Sequence, residues 1–153
     1  MNRVYHLERE QLIPTDLETA WNFISTPNNL EALTPKDMSF SIVSEIPDVL
    51  YEGLLIEYRI RIPILGKQAW LSEIRDIKDR HSFVDVQHVG PYRYWHHYHE
   101  VTEQPNGVRF FDHVTYALPF GYLGSMLHTI YVGTELSRIF DYRHEAMRRL
   151  LSG

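Results

Sequence analysis

The hydrophobic period of this chain changes along its length, and that change most restricts the fold. From Met38 to Ala117 apolar residues recur at every second position. The runs lie near 38–46, 52–62, 67–78, 82–89, 92–103 and 107–117 and are rich in Ile, Val, Tyr, Phe and Trp. Period two with β-branched and aromatic residues marks strands that bury one face. Short connections make successive strands antiparallel neighbours, and Gln104-Pro105-Asn106-Gly107 is the clearest hairpin turn. From about Ser125 to Leu151 the period becomes helical, with Val132, Leu136, Ile139, Phe140, Arg143, Met147 and Leu150 on one stripe. Roughly 26 residues at 1.5 Å each make a rod about 39 Å long. A sheet with one apolar face needs a cover, and only this rod is long enough to be one.

Ahead of the meander, Val4 to Ile13 alternates weakly and ends at Pro14, which reads as a first strand. Thr15-Asp16-Leu17-Glu18 has capping-box form with Thr15 as the cap, and Leu17, Ala20, Trp21 and Ile24 follow on one helical face. Thr26-Pro27 opens a second short helix with Leu30 and Leu33 inward, and Pro35 ends it. The expected architecture is one α+β domain over residues 1–153. A curved seven-stranded antiparallel sheet surrounds a long C-terminal helix, with two short helices between the first and second strands. Gly133, inside that helix, is expected to mark close packing against the sheet.

Composition removes several function classes. The chain has no cysteine, which excludes disulfides, thiolate metal sites and a Cys nucleophile. Its formal net charge of −5 disfavours a nucleic-acid or anionic-membrane surface. Arg138, Arg143, Arg148 and Arg149 are read as cations complementing a helix C-terminus. No stretch approaches the ~20 apolar residues of a membrane span, and the N-terminus is too charged for a signal-peptide core. The expected location is the cytoplasm. Glycine-rich phosphate loops, a G-x-S-x-G elbow and H-E-x-x-H are absent from the sequence, so no cofactor is expected.

Two features carry functional content. In a meander alternate loops share an end of the sheet. Ile62-Pro63-Ile64-Leu65-Gly66, Gly90-Pro91 and Leu118-Pro119-Phe120-Gly121-Tyr122-Leu123-Gly124 therefore fall together, while Lys78-Asp79-Arg80-His81 and the 104–107 turn fall at the other end. An apolar rim is read as a binding mouth, or else as a plug for a solid core. The second feature is the strand 92–101. Alternation puts Arg93, Trp95, His97, His99 and Val101 on one face, opposite Phe110, Asp112, Val114 and Tyr116. Asp112 can then meet His97 or His99. That cluster is read as a buried hydrogen-bonded network, as polar anchors for a ligand, or as metal donors. His-x-His on a strand is a loose metal pattern, so no metal is expected. Asp85 and Gln87, sharing a face with Phe83, are read as solvent-side or edge residues.

The sequence also resembles the SRPBCC superfamily, also called START-like or polyketide cyclase/dehydrase-like. Within it the chain is most similar to a bacterial group described as ligand-binding. The residues that carry this are Ile13-Pro14, Leu33-Thr34-Pro35, Phe83-Val84-Asp85-Val86-Gln87, Gly90-Pro91-Tyr92 with Trp95, His97 and His99, Asp112-His113-Val114-Thr115-Tyr116 with Leu118-Pro119-Phe120-Gly121, and Ile139-Phe140-Asp141-Tyr142-Arg143. The resemblance implies a helix-grip fold with a cavity between sheet and helix. It implies no catalytic residue, because fold does not fix function. The expectation is a binder or carrier of a hydrophobic small molecule such as a lipid, isoprenoid or polyketide-like ring. Trp70, Trp95, His97, His99, Asp112, Tyr116 and Phe120 are its expected contacts. A cyclase, dehydratase or hydratase using a His/Asp pair is the alternative, and a protein-interaction module or homodimer built on the rim loops is another.

Overall fold

The computed structural model describes residues 3–63 and 65–152; Met1, Asn2, Gly153 and Ile64 of the apolar rim loop lie outside the described residues. Seven antiparallel strands form one sheet in the order β1-β7-β6-β5-β4-β3-β2. They are β1 (Val4–Ile13), β2 (Ser41–Ile42), β3 (Leu55–Ile62), β4 (Gly66–Lys78), β5 (Ser82–Val89), β6 (Tyr94–Gln104) and β7 (Gly107–Ala117). A helix α1 (Leu17–Ile24) and two 3₁₀ turns (Pro27–Leu30 and Lys36–Met38) join β1 to β2. The C-terminal rod runs as α2 (Gly121–Leu127), a π-helical turn (His128–Val132) and α3 (Gly133–Leu151). This is the helix-grip architecture.

Several local expectations change. The run at 38–46 forms regular ladder pairs with β3 at Ser41 and Ile42, after which the Val43 and Ser44 N–H groups both donate to the Glu57 carbonyl. Met38 belongs to a 3₁₀ turn that points it into the core. The α1 cap is Asp16, one residue after Thr15: its carboxylate accepts from Thr19 N at 2.8 Å and from the Thr19 hydroxyl at 2.7 Å. An Asx cap supplies two acceptors to the first turn, which the capping-box pattern assigned to the wrong residue. The rod begins at Gly121, four residues before the expected start, because the apolar exit loop is itself helical. Leu150, placed on the inward stripe, is exposed, and Ala146 takes the buried position beside Met147. A Cβ on Gly133 would meet the His128 imidazole at 3.2 Å, so that glycine accommodates a ring on its own rod and not the sheet. The hairpin holds as read, with Gln104 paired to Gly107. Gly107 has φ +142°, and a Cβ there would sit 2.2 Å from the Ile13 carbonyl oxygen.

The inner faces of β6 and β7 bury Trp95, His97, His99, Val101, Val108, Phe110, Asp112, Val114 and Tyr116 in strict alternation. α3 closes one side of this curved surface. Met147 and Ala146 pack with Ile13, Val101, Val108 and Phe110, and the Gln11 amide reaches the Met147 sulfur at 3.9 Å. A second cluster joins Met38, Ile60, Trp70, Trp95, Val114, Tyr116, Leu136 and Phe140. Among the described residues no helix is long and apolar enough to cross a membrane.

Candidate functional site

Between the 23–40 segment, the inner face of β3–β6 and the middle of α3 lies a cavity of about 170 Å³. Its wall is mainly apolar, with Ile60, Trp70, Phe83, Trp95, Ile139 and Phe140 prominent. β1 and β7 contribute none of the lining. Leu30, Thr34, Phe40 and Ile139 line it and remain half-buried, which puts the mouth between the 3₁₀ turns and α3. The sequence placed the mouth at the apolar rim. That rim supplies Ile62, while Leu65, Gly90, Pro91 and residues 118–124 stay off the wall. The reason is the long β1–β2 connection, which covers that half of the sheet but leaves a gap above it.

One wall of the cavity is polar. β6 presents His97 and His99, β5 presents Asp85 across the Asp85↔His97 pairing, and Asp112 on β7 stands behind, opposite His99. Each imidazole spans both carboxylates. His97 Nε2 is 2.7 Å from Asp112 Oδ1 and its Nδ1 3.4 Å from Asp85 Oδ2. His99 Nε2 is 2.7 Å from Asp85 Oδ2 and its Nδ1 3.3 Å from Asp112 Oδ1. The two rings lie close together, tilted by 31°, with centroids 3.6 Å apart. Trp95 donates its indole N–H to Asp85 Oδ1 at 3.3 Å, and the buried Arg143 guanidinium lies 3.7 Å from Asp112 Oδ2.

Burial and the charge of its neighbour His99 push His97 down to about 4, against the pull of Asp112. For His99 burial also disfavours the cation, yet Asp112 and Asp85 together outweigh it and raise the pKa. Desolvation opposes ionisation of Asp112, but Arg143 and the histidines hold it well below the usual carboxylate range. The same balance lowers Asp85, through His99 and His97. When His99 carries its second proton, the imidazolium and the Arg143 guanidinium balance the two carboxylates, which is how charges persist away from water. Tyr58 also lines the cavity, and burial and the charge of Asp85 keep its phenol protonated. Chemically the wall can donate and accept hydrogen bonds and relay a proton between ring and carboxylate. Asp85, His97 and His99 also bring one ligand atom each within 4.8 Å of one another.

The structure therefore brings together Trp70, Trp95, His97 and His99 on the wall, with Asp112 directly behind. It does not bring Tyr116 or Phe120 there. The Tyr116 hydroxyl bonds His128 at 2.7 Å, and its ring stacks on Tyr5. Phe120 is 75% exposed, with left-handed φ of +71°. Two wall residues were passed over in sequence. Asp85 alternates with Phe83 on an inward face, and the β5–β6 register sets it opposite His97. Gln87 instead clamps the β5–β6 loop by bonding both the N–H and C=O of Tyr92. Arg143 is a wall residue too: its place on the helical stripe buries it against the cavity, apart from the C-terminal cations. Arg138 likewise has a specific role: it pairs with Glu135 and Asp37, tying α3 to the second 3₁₀ turn.

No protein-family model matches the sequence, and no curated protein matches it. Solved structures do. A Chromobacterium violaceum protein superposes with TM-score 0.74 at 9% identity, covering 97% of this chain and 99% of its own. Ginseng major latex-like protein 151 from Panax ginseng gives TM-score 0.70 at 11% identity, covering 97% of each chain. Ara h 8.0201 gives TM-score 0.65 at 16% identity, covering 97% of this chain and 98% of its own. These likenesses show the fold.

Proposed function

We propose that this protein is a cavity-binding member of the SRPBCC superfamily that holds a small apolar molecule, working in the cytoplasm, for which a cysteine-free chain is suited. The observation that supports this most is the cavity with one polar wall: apolar side chains on most sides, and His97, His99 and Asp85 on the remaining one. A pocket of this kind holds a guest by its apolar body and orients it by its polar end. The volume of about 170 Å³ favours a one- or two-ring guest over a lipid chain; an apolar cavity of ~150 Å³ accepts benzene. Burying roughly 250 Å² of ring and wall at ~25 cal/mol per Å² contributes about 6 kcal/mol. A micromolar complex needs ~8 kcal/mol, so hydrogen bonds to the polar wall decide which guest stays.

The test is intrinsic fluorescence and thermal shift with a library of one- and two-ring phenols, ketones and carboxylic acids, together with mass spectrometry of solvent extracts. Quenching of the Trp70 and Trp95 emission and a raised Tm are expected. Ile60→Phe should abolish both effects while the protein stays folded. An empty extract and no response from any library member would remove the reading.

Acid–base turnover of the same guest is the second reading, favoured by an imidazole–carboxylate relay that faces the cavity. His99→Gln should then abolish product formation while weakening guest binding far less; equal loss of binding and turnover would dismiss this second reading. A homodimer is a further proposal for the α2 surface. Phe120, Tyr122, Leu123, Met126, Leu127 and Ile130 are exposed there, and residues 118–134 carry no Asp, Glu, Lys or Arg. Such a face can meet its own copy without charge repulsion despite the net charge of −5. Sedimentation equilibrium should show a dimer that Leu123→Ser weakens; a monomer at high concentration would dismiss it.

A further inference from the structure

The polar wall has more hydrogen-bond acceptors than protons to share. Each neutral imidazole carries one N–H and one bare nitrogen. His97 Nε2 lies 2.7 Å from Asp112 Oδ1, so the proton of that ring belongs there. Its other nitrogen, Nδ1, then faces Asp85 Oδ2 at 3.4 Å as lone pair against lone pair. For His99, a proton on Nδ1 faces Asp112 Oδ1 at 3.3 Å, which leaves Nε2 bare and 2.7 Å from the same Asp85 Oδ2. In that form His99 Nδ1 is off-line for a hydrogen bond and has no other partner. Three lone pairs, two nitrogen and one oxygen, then converge on one point at the cavity wall. A proton on His99 Nε2 relieves one of these oppositions. A metal ion relieves all of them.

We propose that Asp85 Oδ2, His97 Nδ1 and His99 Nε2 form a binding site for a divalent transition-metal ion whose remaining coordination positions open into the cavity. At bond lengths of ~2.0–2.2 Å the donors of such a site stand about 3.3 Å apart. The two nitrogen-to-oxygen separations, 2.7 and 3.4 Å, bracket that spacing. The outer groups are those a metal site needs. Asp112 accepts from His97 Nε2 on the side away from the site and fixes that ring's tautomer, Trp95 holds the other oxygen of Asp85, and Arg143 steadies Asp112. Two imidazoles and one carboxylate suit Zn²⁺ or Fe²⁺ and not Ca²⁺ or Mg²⁺, which take oxygen donors. Three protein ligands with open positions mark a site that engages a further molecule, unlike a closed structural one.

The charge count indicates what that molecule is. A divalent ion, two carboxylates and one guanidinium sum to one positive charge with both rings neutral. An anionic oxygen on the metal restores neutrality, so the guest class is a small ring bearing a carboxylate, phenolate or enolate. Metal uptake is read without any guest, so its failure would leave the apolar-cavity reading standing.

The test uses the untagged full chain, stripped by chelator and dialysed against Zn²⁺. One Zn²⁺ per chain is expected, and Co²⁺ in its place should give visible d–d absorption. Asp85→Asn and His99→Gln should weaken uptake about 100-fold, while His88→Gln and His113→Gln, which remove surface imidazoles, should leave it within about twofold. Circular dichroism without metal establishes that each variant folds. Long-range ¹H–¹⁵N spectra of the wild-type imidazoles need no variant at all, and His97 Nδ1 and His99 Nε2 should shift on titration. Substoichiometric uptake, unmoved resonances of those two rings, or loss of uptake in the surface variants alone would overturn the proposal.

Discussion

The two sides of the sheet are built from similar residues and packed to different ends. On the β1–β7 side α3 lies against the strands, and Ile13, Val101, Val108 and Met147 are almost wholly enclosed. On the β3–β6 side the sheet is covered by the 23–40 segment, whose two 3₁₀ turns and prolines bridge the gap without filling it. The difference lies in the cover. A long amphipathic helix sets its stripe into a strand surface at close-packed density, whereas short turns offer only scattered apolar residues such as Leu30, Leu33 and Met38. The polar cluster stands on the seam between the two sides, where Arg143 of α3 meets Asp112 of β7.

Substitutions should expose that contrast, and the largest effect belongs to the seam. Asp112→Ala strands a buried guanidinium and two imidazoles, and should cost about 3–5 kcal/mol by urea unfolding. Met147→Ala on the filled side should cost roughly 2–5 kcal/mol and lower Tm by on the order of 10 °C. Over-packing then separates the sides most sharply. Val108→Phe, with no space to enter, should lose about 1–3 kcal/mol. Ile60→Phe, entering the cavity, should lose less than about 1 kcal/mol while excluding guests. Equal losses for the two phenylalanines would mean that both sides are packed alike. Leu123→Ser, on the exposed face of α2, should stay within about 0.5 kcal/mol.

Most of the filled side was legible in the sequence, because period two and period 3.6 report which face is buried. His97, His99 and Asp112 share a face by alternation across a hairpin whose turn is written in Pro105, Asn106 and Gly107. Asp85 was harder to see. It joins the cluster through the β5–β6 register, which the irregular 89–94 connection and its Gln87 clamp set, and no local pattern reports that register. The mouth was misplaced because apolar loops signal exposure to something without saying what. Residues 121–127 are helix, and Phe120 faces outward. Nor does an apolar count tell whether a covering segment fills the space beneath it; Leu30, Leu33 and Met38 read the same in either case.

The most direct test of the hollow side is a crystal structure of the chain under xenon pressure. A xenon atom bounded by Ile60, Trp70 and Phe140 is the expected result, with none between Met147 and Val108. Side chains filling the β3–β6 side and no xenon there would contradict it.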